Sequence, residues 1–151
     1  MLVKEILYGG ERVYCLRTEG SFDSAHFLAG YQGKCRNIHG HRWRVVVEIF
    51  GEKLEESGQE RGMLVDFGDL KKEVREMLNE WDHSLIYAAG SLREQTLLAL
   101  KEEEFRLVEV EFRPTAENFS RYFFERMQEK GYSVFQVTVY ETPDNCAVYR
   151  G

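Results

Sequence analysis

Trp43, Val45, Val47 and Ile49 alternate with Arg42, Arg44 and Glu48, so residues 41–51 read as a strand with one apolar and one polar face. Residues 12–27 read as a second long strand before it, and Gly30, Gly33 and Gly40 punctuate the connection. After Gly62 the period changes. Leu70, Val74, Met77, Leu78 and Trp81 recur at helical spacing, with Asp66 placed as the N-cap. A weaker helical pattern covers 91–104, and a strand follows over 106–113. A further helix starts at Pro114-Thr115, carries Phe119, Tyr122, Phe123 and Met127 on one stripe, and stops at Gly131. The chain closes with a hairpin: residues 134–141 alternate, Thr142-Pro-Asp-Asn turns, and 146–150 return. This order predicts an α+β fold in which helices cover one face of an antiparallel sheet. With no internal repeat and no Pro-rich linker, residues 1–151 are expected to form one domain.

Composition narrows the class. The 151 residues are 43% hydrophobic and 30% charged, as in an ordinary folded domain, and no stretch approaches the roughly 20 apolar residues of a membrane helix. The first residues lack the features of a secretory leader, which places the expected location in the cytoplasm. Cys15, Cys35 and Cys146 are too sparse for a disulfide framework and read as reduced thiols. A net charge of -6 disfavours a nucleic-acid partner held through its phosphates. The charge is uneven, however: from Ser24 to Val47 no acid occurs while Lys34, Arg36, Arg42 and Arg44 do, giving +4 there and -10 elsewhere. A local anion site is therefore expected.

Three of the four histidines, His26, His39 and His41, fall within sixteen positions. The spacing of two puts His39 and His41 on one face of a strand, and a hairpin return brings His26 beside them. Three neutral imidazoles suit Zn²⁺ and leave a fourth position for water or substrate. Cys35, between Lys34 and Arg36 in a Gly-rich loop, has the surroundings of a stabilised thiolate and reads as a base or nucleophile. Two alternatives stand beside this: Cys35 as the fourth ligand of a closed structural site, or as a small apolar filler, the role given to Cys15 and Cys146. His83 follows Asp82 at the end of a helix and reads either as a cation favoured by the helix dipole or as part of a proton relay. Glu141 is either a solvated strand-end acid or a carboxylate that receives two N–H groups of a planar heterocycle. Thr115 is a helix cap by position.

The ordered blocks Phe22-Asp-Ser-Ala-His26, Cys35-x₃-His39-Gly-His41, Val65-Asp-Phe-Gly-Asp-Leu70, Asp82-His83, Pro114-Thr-Ala-Glu-Asn118 and Tyr140-Glu-Thr142 resemble the 6-pyruvoyltetrahydropterin synthase family over residues 21–151. The Cys-x₃-His spacing is similar to that of the bacterial 6-carboxytetrahydropterin synthase branch of queuosine biosynthesis. Trp43, where the family more often has Tyr, is a departure, and 91–104 carries no family motif. The resemblance implies a tunnelling fold (T-fold), an antiparallel four-stranded sheet with helices on one face. It also implies that the sheets join in an oligomeric β-barrel, a homo-hexamer built as a dimer of trimers with sites between subunits. It implies Zn²⁺ on His26, His39 and His41, Cys35 as catalytic thiol, and Asp82 with His83 as a relay facing Cys35 of a neighbouring subunit. Glu141 would anchor the pterin, assisted by Thr115 and Glu117. The implied enzyme is a zinc-dependent lyase converting 7,8-dihydroneopterin triphosphate to 6-carboxy-5,6,7,8-tetrahydropterin, with loss of acetaldehyde and triphosphate. The same fold making 6-pyruvoyltetrahydropterin, or serving as a non-catalytic zinc or pterin-binding module, is the alternative. A zinc hydrolase fits less well, since no His-Glu-x-x-His occurs.

Overall fold

The computed structural model describes residues 7–8 and 10–151. The segment 1–6, part of the stretch read above for a leader, lies outside them. Strands β1 (Leu7–Tyr8) and β2 (Glu11–Arg12) form a short antiparallel ladder. The main sheet contains β3 (Tyr14–His26), β4 (His39–Gly51), β5 (Ser84–Ala88), β6 (Leu107–Val110), β7 (Val134–Thr142) and β8 (Asn145–Arg150), in the order β6-β5-β3-β4-β7-β8. Helices α1 (Phe67–Asn79), α2 (Glu94–Glu102) and α3 (Ala116–Glu129) interrupt them.

The expected four-stranded antiparallel sheet is corrected on two counts: this sheet has six strands and is mixed, with β5 parallel to both β3 and β6. Helix α1 is the reason. A Cβ built on Gly20 would meet Leu78 Cδ1 at 2.8 Å, Phe22 packs edge-on to Trp81 at 5.9 Å, and the His83 amide donates to Asp23 O at 2.7 Å. The helix therefore climbs alongside β3 in the same direction, and the chain leaves its end running parallel to that strand. The apolar run Leu85-Ile-Tyr was the available signal for β5, but five residues are too few for periodicity to identify.

The β3–β4 ladder fixes everything at the site. Its register pairs Phe22 with Trp43, Ser24 with His41, and His26 with His39. These side chains share the face covered by α1 and α3, where Val45, Val47, Ile49, Leu70, Met77, Phe119 and Phe123 complete the core. The opposite face carries Asp23, Arg42 and Arg44. Helix α2 buries no residue, consistent with its weak pattern, and Leu98 is exposed. Among the described residues no helix is long and apolar enough to cross a membrane.

Candidate metal centre and active site

The core face of β3 and β4 ends in the three histidines. His26 stands directly across from His39 and diagonally from His41, the spacing at which cross-strand side chains meet. Their rings approach at 4.5, 5.1 and 5.0 Å between centroids. One nitrogen from each lies within 4.8 Å of the other two.

Hydrogen bonding fixes how the rings point. His26 Nδ1 lies 2.7 Å from the carbonyl of Pro114, and His39 Nδ1 lies 2.7 Å from that of Asn37. A carbonyl only accepts, so both rings carry their proton on Nδ1 and present an Nε2 lone pair. Those two Nε2 atoms are 3.1 Å apart. Among the described residues His41 Nε2 is buried without a hydrogen-bond partner. One nitrogen from each ring therefore lies close enough to the others to hold a metal ion, and backbone carbonyls orient two of the three rings from behind. The cluster fits a metal ion, and the residues themselves do not specify which.

Burial reinforces this state. It lowers the pKa of His26 to about 4 against the Pro114 hydrogen bond, and it lowers that of His41 despite the neighbouring Glu141. Both rings are therefore neutral, as ligands must be, at physiological pH. Trp43 adapts to this neighbourhood: its Nε1 donates to Ser24 Oγ at 3.0 Å, and its ring meets His26 and His41 edge-on at 5.0 and 5.2 Å.

Cys35 lies in a single 3₁₀ turn, Lys34–Arg36, whose carbonyl at Cys35 accepts from the Leu28 amide. Its sulfur is not part of the three-nitrogen cluster.

Glu141 sits at the irregular rung of the β7–β8 hairpin, half-buried, with Oε1 3.7 Å from His41 Nε2. It lines a cavity of about 850 Å³ with His41, Arg42, Arg44 and Tyr140. Thr115 caps α3 through Asn118 N, at 3.4 Å, and Glu117 is exposed in its first turn; neither lines that cavity.

Asp82 and His83 lie beyond α1, so the helix-end cation reading is replaced by a different arrangement. His83 adopts φ 54, and its Nδ1 lies 2.8 Å from Asp82 Oδ2. The other carboxylate oxygen accepts from the Asp23 amide at 2.8 Å, which holds the Asp82 carboxyl below its usual range, with the His83 contact adding to the effect. The imidazole is exposed and lines a second cavity, of about 670 Å³, with Asp23, His41 and Arg42. Cys35 lines neither cavity.

The basic stretch is less positive than its sequence suggests. Arg42 forks onto the Asp23 carboxylate at 3.0 and 2.9 Å, and Arg44 lies 3.5 Å from Glu19 and 4.0 Å over the Tyr140 ring. Both acids lie on β3, outside the counted stretch, and cross-strand pairing brings them in. Asp23 lies within the first of the sequence blocks, and Arg106, which no pattern in the sequence marks, lines the cavity of about 670 Å³ with it.

Residues 15–151 match the family described as 6-pyruvoyl tetrahydropterin synthase. The 6-carboxy-5,6,7,8-tetrahydropterin synthase of Haemophilus influenzae is 36% identical over 141 residues, covering 91% of this chain and 99% of that protein. Among solved structures, an uncharacterized protein of Wolinella succinogenes superposes with a TM-score of 0.73 at 22% identity, covering 93% of this chain and 99% of the other. The 6-pyruvoyl tetrahydropterin synthase of Plasmodium vivax superposes with a TM-score of 0.67 at 21% identity, with the same coverage.

Proposed function

The chain belongs to the 6-pyruvoyl tetrahydropterin synthase family, and on that premise we propose that it converts 7,8-dihydroneopterin triphosphate to 6-carboxy-5,6,7,8-tetrahydropterin, releasing acetaldehyde and triphosphate. The observation that carries this reading is the convergence of one ring nitrogen from each of His26, His39 and His41, two of the rings oriented by backbone carbonyls, with His41 lining the cavity that also holds Glu141. The similarity to a 6-carboxy-forming enzyme and the Cys-x₃-His spacing favour this product over the 6-pyruvoyl one.

In this reading His26, His39 and His41 hold Zn²⁺, for which three neutral imidazoles are a suitable set. When bound, the ion supplies Lewis acidity that eases proton removal next to the substrate's side-chain oxygens. Glu141 receives two N–H groups of the pterin and sets its side chain over the histidines, with Thr115 and Glu117 as supporting contacts. Cys35, flanked by Lys34 and Arg36, exchanges one proton with the substrate. His83 exchanges another through Nε2, because Nδ1 is committed to Asp82, whose carboxylate steadies the charged ring. The basic stretch supplies the candidates for the triphosphate, with Lys34 and Arg36 remaining beside Arg42 and Arg44, which are engaged with acids. Cys35 and His83 serve one reaction by meeting across a subunit boundary in a β-barrel oligomer, a hexamer built from two trimers. The product fits a route to queuosine precursors.

Incubating the purified protein with 7,8-dihydroneopterin triphosphate tests the reading. The expected result is acetaldehyde together with the 6-carboxy product by mass spectrometry. A 6-pyruvoyl product moves the chain to the other branch, and a metal-loaded protein that consumes no substrate makes it a binding module.

A further inference from the structure

His83 is held in a conformation that a residue with a Cβ seldom adopts, with φ at 54. Such a residue stays in place only where its surroundings overdetermine it. Its side chain is 78% exposed, so packing does not hold the ring. The backbone on either side must do so.

Helix α1 ends with carbonyls that need donors, yet its last turn carries no basic residue. The donors come from Arg106, just before β6. One guanidinium nitrogen donates to Asn79 O and Glu80 O, both at 2.9 Å, and the other donates to Asp82 O at 3.0 Å. The backbone of Arg106 is itself anchored, because its carbonyl accepts from the Leu85 amide at 2.9 Å. The fork therefore clamps the end of α1 to the peptide that joins Asp82 to His83. The remaining restraints, Asp23 N to Asp82 Oδ1 and His83 N to Asp23 O, act on the same two residues from β3.

We propose that Arg106 is a positioning residue for His83: by tying the carbonyls of Asn79, Glu80 and Asp82 into one turn, it sets the backbone that lets the Asp82 carboxylate reach His83 Nδ1. This rests on the relay role given to Asp82 and His83 above. Lysine is not equivalent here, because one ammonium cannot reproduce a planar fork spanning three carbonyls.

The test uses the full-length, metal-loaded protein and two readouts. The first is the ¹⁵N spectrum of His83 at a pH where the ring is neutral, which reports whether the proton sits on Nδ1. Arg106→Gln and Arg106→Lys are both expected to shift the ring away from the Nδ1–H form, as Asp82→Asn does with Arg106 intact, while metal content and the circular dichroism spectrum stay unchanged. The second is a double-mutant cycle on 7,8-dihydroneopterin triphosphate. Arg106→Gln is expected to lower kcat about 10-fold with little change in KM, and to lower it less than about 2-fold in a His83→Ala background. An unchanged His83 spectrum, or an equal loss in the His83→Ala background, overturns the proposal and leaves Arg106 a helix cap. Wild-type protein that fails to turn over the substrate defeats the functional reading alone, since the spectrum still decides whether Arg106 sets the ring.

Discussion

His26 is the pivot of the site: only 1% exposed, it is fixed through Nδ1 by Pro114 O and aims Nε2 at His39. Its lowered pKa has a consequence for stability. Between about pH 6.5 and pH 4 the unfolded chain takes up a proton that the folded site refuses, so stability is full above that window and is lost as pH falls through it. Chelator-treated protein should lose on the order of 2 kcal/mol between pH 7 and 4.5 in urea titrations, and an unchanged midpoint would contradict this. The His41→Ala variant is expected to lose most of the metal by elemental analysis; full retention would remove it from the ligand set. By contrast, Cys35→Ala should abolish turnover while keeping stoichiometric metal, since its sulfur stands apart from the nitrogens. Loss of metal there would favour the closed structural site.

At the scale of elements, the β3–β4 register does the positioning. A slip of one residue would turn His39 and His41 to the face of Arg42 and Arg44 and away from His26. Three features hold it: the apolar column ending in Phe22 and Trp43, the Trp43–Ser24 hydrogen bond, and α1 lying on β3. That last contact needs the bare backbone of Gly20, because a methyl there would stand 2.8 Å from Leu78 Cδ1. Gly20→Ala should cost about 1–3 kcal/mol in thermal or urea unfolding, as overpacking does. A variant of native stability would show that Leu78 yields freely. The same helix explains why the alternation of 41–51 was readable while β5 was not. A long half-buried strand declares its period, whereas five residues placed beside β3 by a climbing helix do not.

At the scale of the molecule, the candidate groups divide between two regions. His41 and Glu141 share one cavity, His83 lines another that also reaches His41, and Cys35 lines neither. If Cys35 and His83 act together across a boundary, separate inactive variants should complement each other. Mixing Cys35→Ala with His83→Ala protein, after dissociation and reassembly, should restore a fraction of wild-type turnover. Persistent inactivity in verified mixed oligomers would place the two residues in one subunit's site.

The histidine cluster, the first and third helices and the long hairpin were legible because each depends on spacing along the chain, which the periods of strand and helix convert directly into a shared face. Tertiary structure decided what depends on distant chain segments. It placed Asp23 and Glu19 on the arginines of the basic stretch, set Pro114 O behind His26, and gave His83 the backbone turn that brings Asp82 to its ring. It also carried Arg106 to carbonyls 24 to 27 positions away. Contacts between remote segments leave no period in a sequence, because their partners are chosen by the packing of whole elements.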